Sequence, residues 1–166
     1  FNVDEWIYGA GLPANCAQIS SDRFVKVDDK IAMIKDDKTP SQLNVDEEKW
    51  TTHEWLHFIN NLPKDLTTGE MKALDDKFGF KNSGNSEILA AWFVASVERE
   101  YWEVLPEMEY FLVHVGRRKF LSPIYKALSE TEKGKEIALE IYTKARPNYH
   151  SISFNTMDEM LDYKKG

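Results

Sequence analysis

From Asp22 onward, apolar residues recur at three- and four-residue steps: Phe24, Val27, Ile31 and Ile34. That period belongs to a helix with one buried face, so the spacing predicts a helix opening near Ser21 or Asp22. The polar stretch Asp36 to Glu48 contains Pro40 and predicts a loop. Thr51-Thr52-His53-Glu54 has capping-box spacing, opening a second helix that stops at Pro63. The same signal recurs at Thr67-Thr68-Gly69-Glu70, for a short helix ending around Phe78-Gly79. Asn85 or Ser86 caps the next helix, which runs through Ile88, Leu89, Trp92, Phe93 and Val97. It is apolar on more than one face, so it is expected to pack between neighbours. Pro106 suits the first turn of a helix from Glu107 to Val115, with Gly116 at its end. Ser122-Pro123 reads as the cap and start of Ile124 to Leu128. Thr131 opens the last long helix, where Ile137, Ile141 and Ala145 share a face before Pro147.

Outside these segments the period fades. Residues Phe1 to Ala17 are punctuated by Gly9, Gly11 and Pro13 and read as an irregular arm. From Asn148 an extended tail is expected, with strand-like alternation only at Ser151 to Phe154 and a helical turn at Met157 to Tyr163. The reading is therefore all-α: an α-α superhelix, an armadillo- or HEAT-like stack of about eight short antiparallel helices. It assigns residues 1–16 to an arm, 17–150 to the helical domain and 151–166 to a tail.

Composition narrows the classes. The chain has 166 residues, 42% hydrophobic and 30% charged, which suits a single globular domain. Its net charge of −7 argues against a nucleic-acid surface. No apolar run approaches the roughly 20 residues that span a bilayer. Neither nucleic acid nor membrane is expected as a partner. Cys16 is the only cysteine, so no internal disulfide holds the fold. That leans toward a reducing, cytoplasmic compartment. The chain opens on Phe1 without a signal-like segment and reads as an excised piece, which leaves a periplasmic or exported location open.

His53-Glu54-Trp55-Leu56-His57 spells H-E-x-x-H on a predicted helix. Two His at i and i+4 can hold Zn²⁺ while the Glu serves as general base, and Asp75 or Asp76 could supply a third ligand. Helical angles weigh against it. With Trp55 at 0°, Phe58, Ile59 and Leu62 fall within about 60°, whereas His53 and His57 lie at roughly 160° and 200°. The pair is expected to face solvent beside Asn60 and Lys64, as surface histidines in a chance motif. Trp55, Trp92 and Phe93 sit on apolar faces and read as core.

Two stretches resemble the leukotriene A4 hydrolase and aminopeptidase group of peptidase family M1. One is Trp6-Ile7-Tyr8-Gly9-Ala10-Gly11-Leu12-Pro13, similar to the segment where that family's catalytic domain meets its C-terminal domain. The other is Gly116-Arg117-Arg118-Lys119-Phe120 followed by Pro123-Ile124-Tyr125, similar to the family's G-R-x-K-F-x-x-P-[LI]-[FY] signature. Asn85-Ser86-Glu87-Ile88, Trp102-Glu103 and Leu105-Pro106 fall between them in order, and Tyr142, Ala145 and Tyr149-His150 follow. The likeness is weakest from Ala14 to Lys49 and ends before Phe154 to Gly166.

The resemblance implies a zinc aminopeptidase parent whose metal site lies upstream of Phe1, with no cofactor and no catalytic residue in this fragment. Residues 1–16 become a strap from the end of the catalytic domain, and the partners are peptide substrate and the upstream domains of the same chain. By position Arg117 and Lys119 become the cations that bind the substrate's carboxylate, while Arg118 occupies a variable position. The plainer reading is that these cations follow a helix C-terminus, which its dipole favours. Two other functions stay open: a free-standing helical-repeat binding module, and an autonomous metalloprotease built on His53 and His57.

Overall fold

The computed structural model describes residues 3–13, 15–16, 22–35, 43, 45 and 49–164. The loop expected at 36–48 thus lies outside the described residues, apart from Leu43 and Val45, which are both buried. The helices are α1 (Val3–Tyr8), α2 (Asp22–Lys35), α3 (Thr52–Asn60), α4 (Thr68–Phe78), α5 (Ser86–Glu98), α6 (Leu105–His114), α7 (Arg118–Leu128), α8 (Glu132–Ala145) and α9 (Ser151–Met160). Short 3-10 turns at Phe80–Asn82, Trp102–Val104 and Arg146–Asn148 join them. No strand occurs among the described residues.

The helices form two rows. α3, α5, α7 and α9 touch in sequence, with α2 against α3; α6 and α8 form the second row, and α4 joins it through the Phe80–Asn82 turn. Each hairpin places one helix in each row, the construction of an α-α superhelix. The row order follows from α5. Trp92 and Phe93 are fully buried, and Ala90, Ala95 and Val97 nearly so, so α5 needs cover on several sides. An aromatic ladder continues from it: Phe80 lies 4.7 Å from Trp92, and Trp55 lies 5.4 Å from Phe80 and 4.7 Å from Trp50.

Buried polar groups lock the rows together. The Arg99 guanidinium donates to the carbonyls of Pro63, Ala95 and Leu62 at 2.8–2.9 Å, closing the C-terminal ends of α3 and α5. Asp75, 2% exposed, accepts from the Lys81 N–H at 2.9 Å and the Tyr101 hydroxyl at 3.2 Å. Both capping boxes form as their spacing predicts, at Thr51–Glu54 and Thr67–Glu70. Gly79 closes α4 in the left-handed conformation, at φ 66°.

Three expectations are corrected. The arm is not wholly irregular, because Val3–Tyr8 is helical, although none of its residues is buried. α7 does not begin at Ser122-Pro123 but at Arg118, and it carries Pro123 inside. Proline there removes the bond its N–H would make to the Lys119 carbonyl and crowds that carbonyl with its ring. Phe120, Leu121, Ile124 and Tyr125, all buried, hold the helix across that gap.

The third correction concerns the tail. Ser151–Met160 is a helix, neither extended nor a strand, packed on α7. Met157 is fully buried and Ser153 nearly so. The Arg146 fork meets Asp158 at 2.7 and 2.8 Å, and the Tyr142 hydroxyl donates to the same carboxylate at 2.6 Å. Arg146 also lies 4.7 Å over the Phe154 ring. The sparse apolar residues of 151–160 hide the helix because polar links supply much of its docking. Met157→Ala is expected to lower the unfolding free energy by about 2–5 kcal/mol in urea titration. A loose tail would lose nothing.

Candidate functional site

The H-E-x-x-H helix is α3. Glu54 is 4% exposed and faces α2, where the Arg23 fork meets its two oxygens at 2.8 Å each. The Thr51 N–H and hydroxyl add bonds of 2.9 and 2.6 Å to the same carboxylate. The Arg23 hydrogen bonds, against the opposing effect of burial and with help from Thr51, hold its pKa down at about 2. Such a carboxylate is a poor general base. His57 is not a plain solvated side chain: its Nε2 lies 2.7 Å from Asp28 and its ring packs on Phe24 at 4.9 Å. His53 is exposed, and Asp75 is committed to Lys81 and Tyr101. The set does not fit a hydrolytic zinc site, because its base and one of its two imidazoles already serve the α2–α3 junction.

The other candidate residues come together at the start of α7. Arg117 occupies its N-cap position without a side-chain cap, and Arg118 and Lys119 are its first two residues. All three are exposed. They follow the C-terminus of α6, as in the plainer reading, and at the same time form the start of α7. They stand at a positive helix end, where cations are disfavoured and the first N–H groups of the helix lack helical acceptors. The arrangement suits an anion. Phe120, buried beneath, carries the Arg117 guanidinium at 5.6 Å and the Lys119 ammonium at 5.5 Å from its ring centre. Lys119 pairs with Glu87 at the start of α5. Arg117 has no acidic partner within salt-bridge distance among the described residues.

The loop before α7 is held from α9 and its approach. The Ser153 hydroxyl donates to the Gly116 carbonyl at 2.9 Å, the Tyr149 hydroxyl to Leu112 at 2.5 Å, and the Asn148 amide to Val113 at 3.3 Å. Tyr149 and Tyr125 hydroxyls meet at 3.1 Å. Beside the loop, a groove of about 480 Å³ runs along α6, lined by Ser86, Leu89, Pro106, Tyr110 and His114. Sequence reasoning missed Glu87, Ser153 and Tyr149 as supports. The cap signal at Asn85-Ser86-Glu87 was visible, but its neighbour on α7 was not.

The sequence pattern of the family described as "Leukotriene A4 hydrolase, C-terminal" matches residues 50–161, more than half of the chain. The chain belongs to this family. It is similar to leucine aminopeptidase 2 of Ajellomyces capsulatus, 27% identical over the whole chain, which spans 27% of that relative. It is 30% identical to leucine aminopeptidase 2 of Neurospora crassa over 75% of the chain and 19% of that protein. Among solved structures it resembles native leukotriene A4 hydrolase from Saccharomyces cerevisiae, with TM-score 0.75 and 22% identity, covering 98% of this chain and 29% of that one. The likeness to the yeast structure confirms the all-helical fold. The chain thus spans under a third of each of these proteins, and the matched region of the leukotriene A4 hydrolase C-terminal family contains α3 to α9 and the α7 site.

The depressed Glu54 pKa makes a prediction with a definite sign. A carboxylate held at about 2 in the fold, against 4.5 ordinarily, contributes stability that is present above pH 4.5 and is lost as pH falls toward 2. Urea unfolding across that window is expected to show the loss, and Glu54→Gln is expected to flatten it. An unchanged acid slope in the variant would remove the Arg23–Glu54 bond as its cause.

Proposed function

We propose that this chain is the non-catalytic C-terminal domain of a zinc aminopeptidase, supplying one wall of the substrate channel and a basic clamp for the substrate's carboxylate. The observation that carries the proposal is the α7 start: an exposed Arg117 guanidinium, without an acidic partner among the described residues, stands at a helix N-terminus, where an anion is stabilised. A guanidinium fork accepts a carboxylate bidentately, and the Lys119 ammonium adds a less directional charge. Zinc, held by residues outside this chain, supplies the chemistry on the peptide bond. The residues here bind and orient the far end of the substrate, and a fixed distance between clamp and metal aligns the peptide.

Two further features support the reading. Val3, Trp6, Ile7, Tyr8 and Leu12 are all exposed, with none of the α1 residues buried, as suits a strap that packs on neighbouring chain. The names of the relatives, leucine aminopeptidase 2, and the share of their length spanned fit a domain within a longer hydrolase. The chain taken alone is inactive in this reading.

The test is the complete polypeptide with Arg117→Ala. A charge-assisted bond of about 1.5–3 kcal/mol corresponds to a rise in KM of about 10- to 100-fold for short peptides with a free C-terminus. Zinc content is expected to stay intact, and C-terminally amidated peptides to change far less. Equal kinetics for the free acids would remove Arg117 from the site. A helical-repeat binding module would instead show no zinc and no peptidase activity in the complete polypeptide.

A further inference from the structure

We infer that Glu87 is a positioning residue of the clamp: it holds the Lys119 ammonium at α5 and leaves Arg117 as the directional ligand of an incoming carboxylate. The inference rests on the clamp reading given above. Its geometry is independent of any ligand. Glu87 is the second residue of α5, and its N–H donates to the Asn85 side chain at 2.9 Å. The Asn85 amide in turn donates to the Thr52 hydroxyl of α3 at 2.9 Å. The carboxylate is therefore mounted on the junction of two packed helices, 34% exposed, while Lys119 reaches it with a side chain 56% exposed.

Both cations lie near the Phe120 ring, the Arg117 guanidinium 5.6 Å and the Lys119 ammonium 5.5 Å from its centre. The Lys119–Glu87 pair is neutral as a unit, so among the described residues the cations left uncompensated at this helix start are Arg117 and the exposed Arg118, and of these two Arg117 is the one seated on the Phe120 ring. An arriving carboxylate must compete with Glu87 for Lys119 and is repelled by Glu87 at short range. It gains full stabilisation only in the planar fork of Arg117, which fixes its orientation. Without the Glu87 charge, Lys119 would offer a second, swivelling cation. Carboxylates would then bind more tightly and with less dependence on where the peptide ends. A purely structural Glu87, acting on the α5 dipole, would have no such ligand dependence.

The experiment uses zinc-stripped complete polypeptide, so that binding is read without turnover. Calorimetry measures Kd for Ala-Ala-Ala as the free acid and as its C-terminal amide. Glu87→Gln is expected to tighten the free acid about 2- to 5-fold, the range of an exposed ion pair, and to widen the acid-to-amide ratio. Glu87→Asp, which keeps the charge, is expected to retain the wild-type ratio. An unchanged or narrowed ratio in Glu87→Gln overturns the role of Glu87, even where Arg117→Ala abolishes the acid preference. An acid preference that survives Arg117→Ala overturns the clamp itself, and the role of Glu87 with it.

Discussion

A helix that is apolar on several faces cannot lie on a surface, and α5 imposes that constraint on the whole domain. Trp92 and Phe93 admit no water, so α3 must cover one flank and α7 the other, with the Phe80 turn and the Trp102–Val104 turn closing the remainder. Once α3 and α7 are seated, their starts are placed as well. Asn85 bonds to Thr52 on one side, and Glu87 reaches Lys119 on the other. The basic group at the head of α7 is thus located by hydrophobic cover several turns away. Substitutions deep in α5 would move the charge pattern at the surface, although no charged side chain is buried there.

That basic group works against its own helix. Three cations at the positive end of α7 raise the local potential, and the cap position carries an arginine where Ser, Thr, Asp or Asn would help. The fold compensates from outside the helix. Glu87 neutralises Lys119, the Phe120 ring supports both Arg117 and Lys119, and Ser153 of α9 holds the Gly116 carbonyl. The cations thus lie exposed at the head of α7 while other elements hold the segment behind them. Here it is the tail helix and its approach, through Ser153, Asn148 and Tyr149, that keep the segment before Arg117 in place.

The H-E-x-x-H sequence shows the opposite case, in which catalytic-looking residues are used for assembly. Glu54 closes the capping box of α3 and receives Arg23 from α2, while His57 receives Asp28. One helix start thereby fixes the docking of another. The same residues on a helix facing an enclosed cleft would be free to bind metal and activate water. Burial and partner choice, which no motif encodes, separate the two outcomes.

Much of the fold was legible because its signals are local. The two threonine capping boxes, Asn85, Pro106 and Thr131 mark helix starts through bonds made within three residues, and the steps Val27–Ile31–Ile34 mark a buried face. The residues of the α7 site were legible only through a resemblance, since three adjacent cations carry no information about which helix end they occupy. Tertiary structure decided that question. Phe120 and Leu121 are pulled into the core, and this draws the start of α7 back to Arg118, past the proline that looked like its beginning. It also decided α9, whose docking depends on Tyr142, Arg146 and Asp158 meeting across a turn. Sequence by itself determined that the segments of α2 to α6 and α8 coil, because helix capping and periodicity are short-range. Which charges meet which partners was settled only when the coils packed, because those distances are set by side chains far apart in the chain.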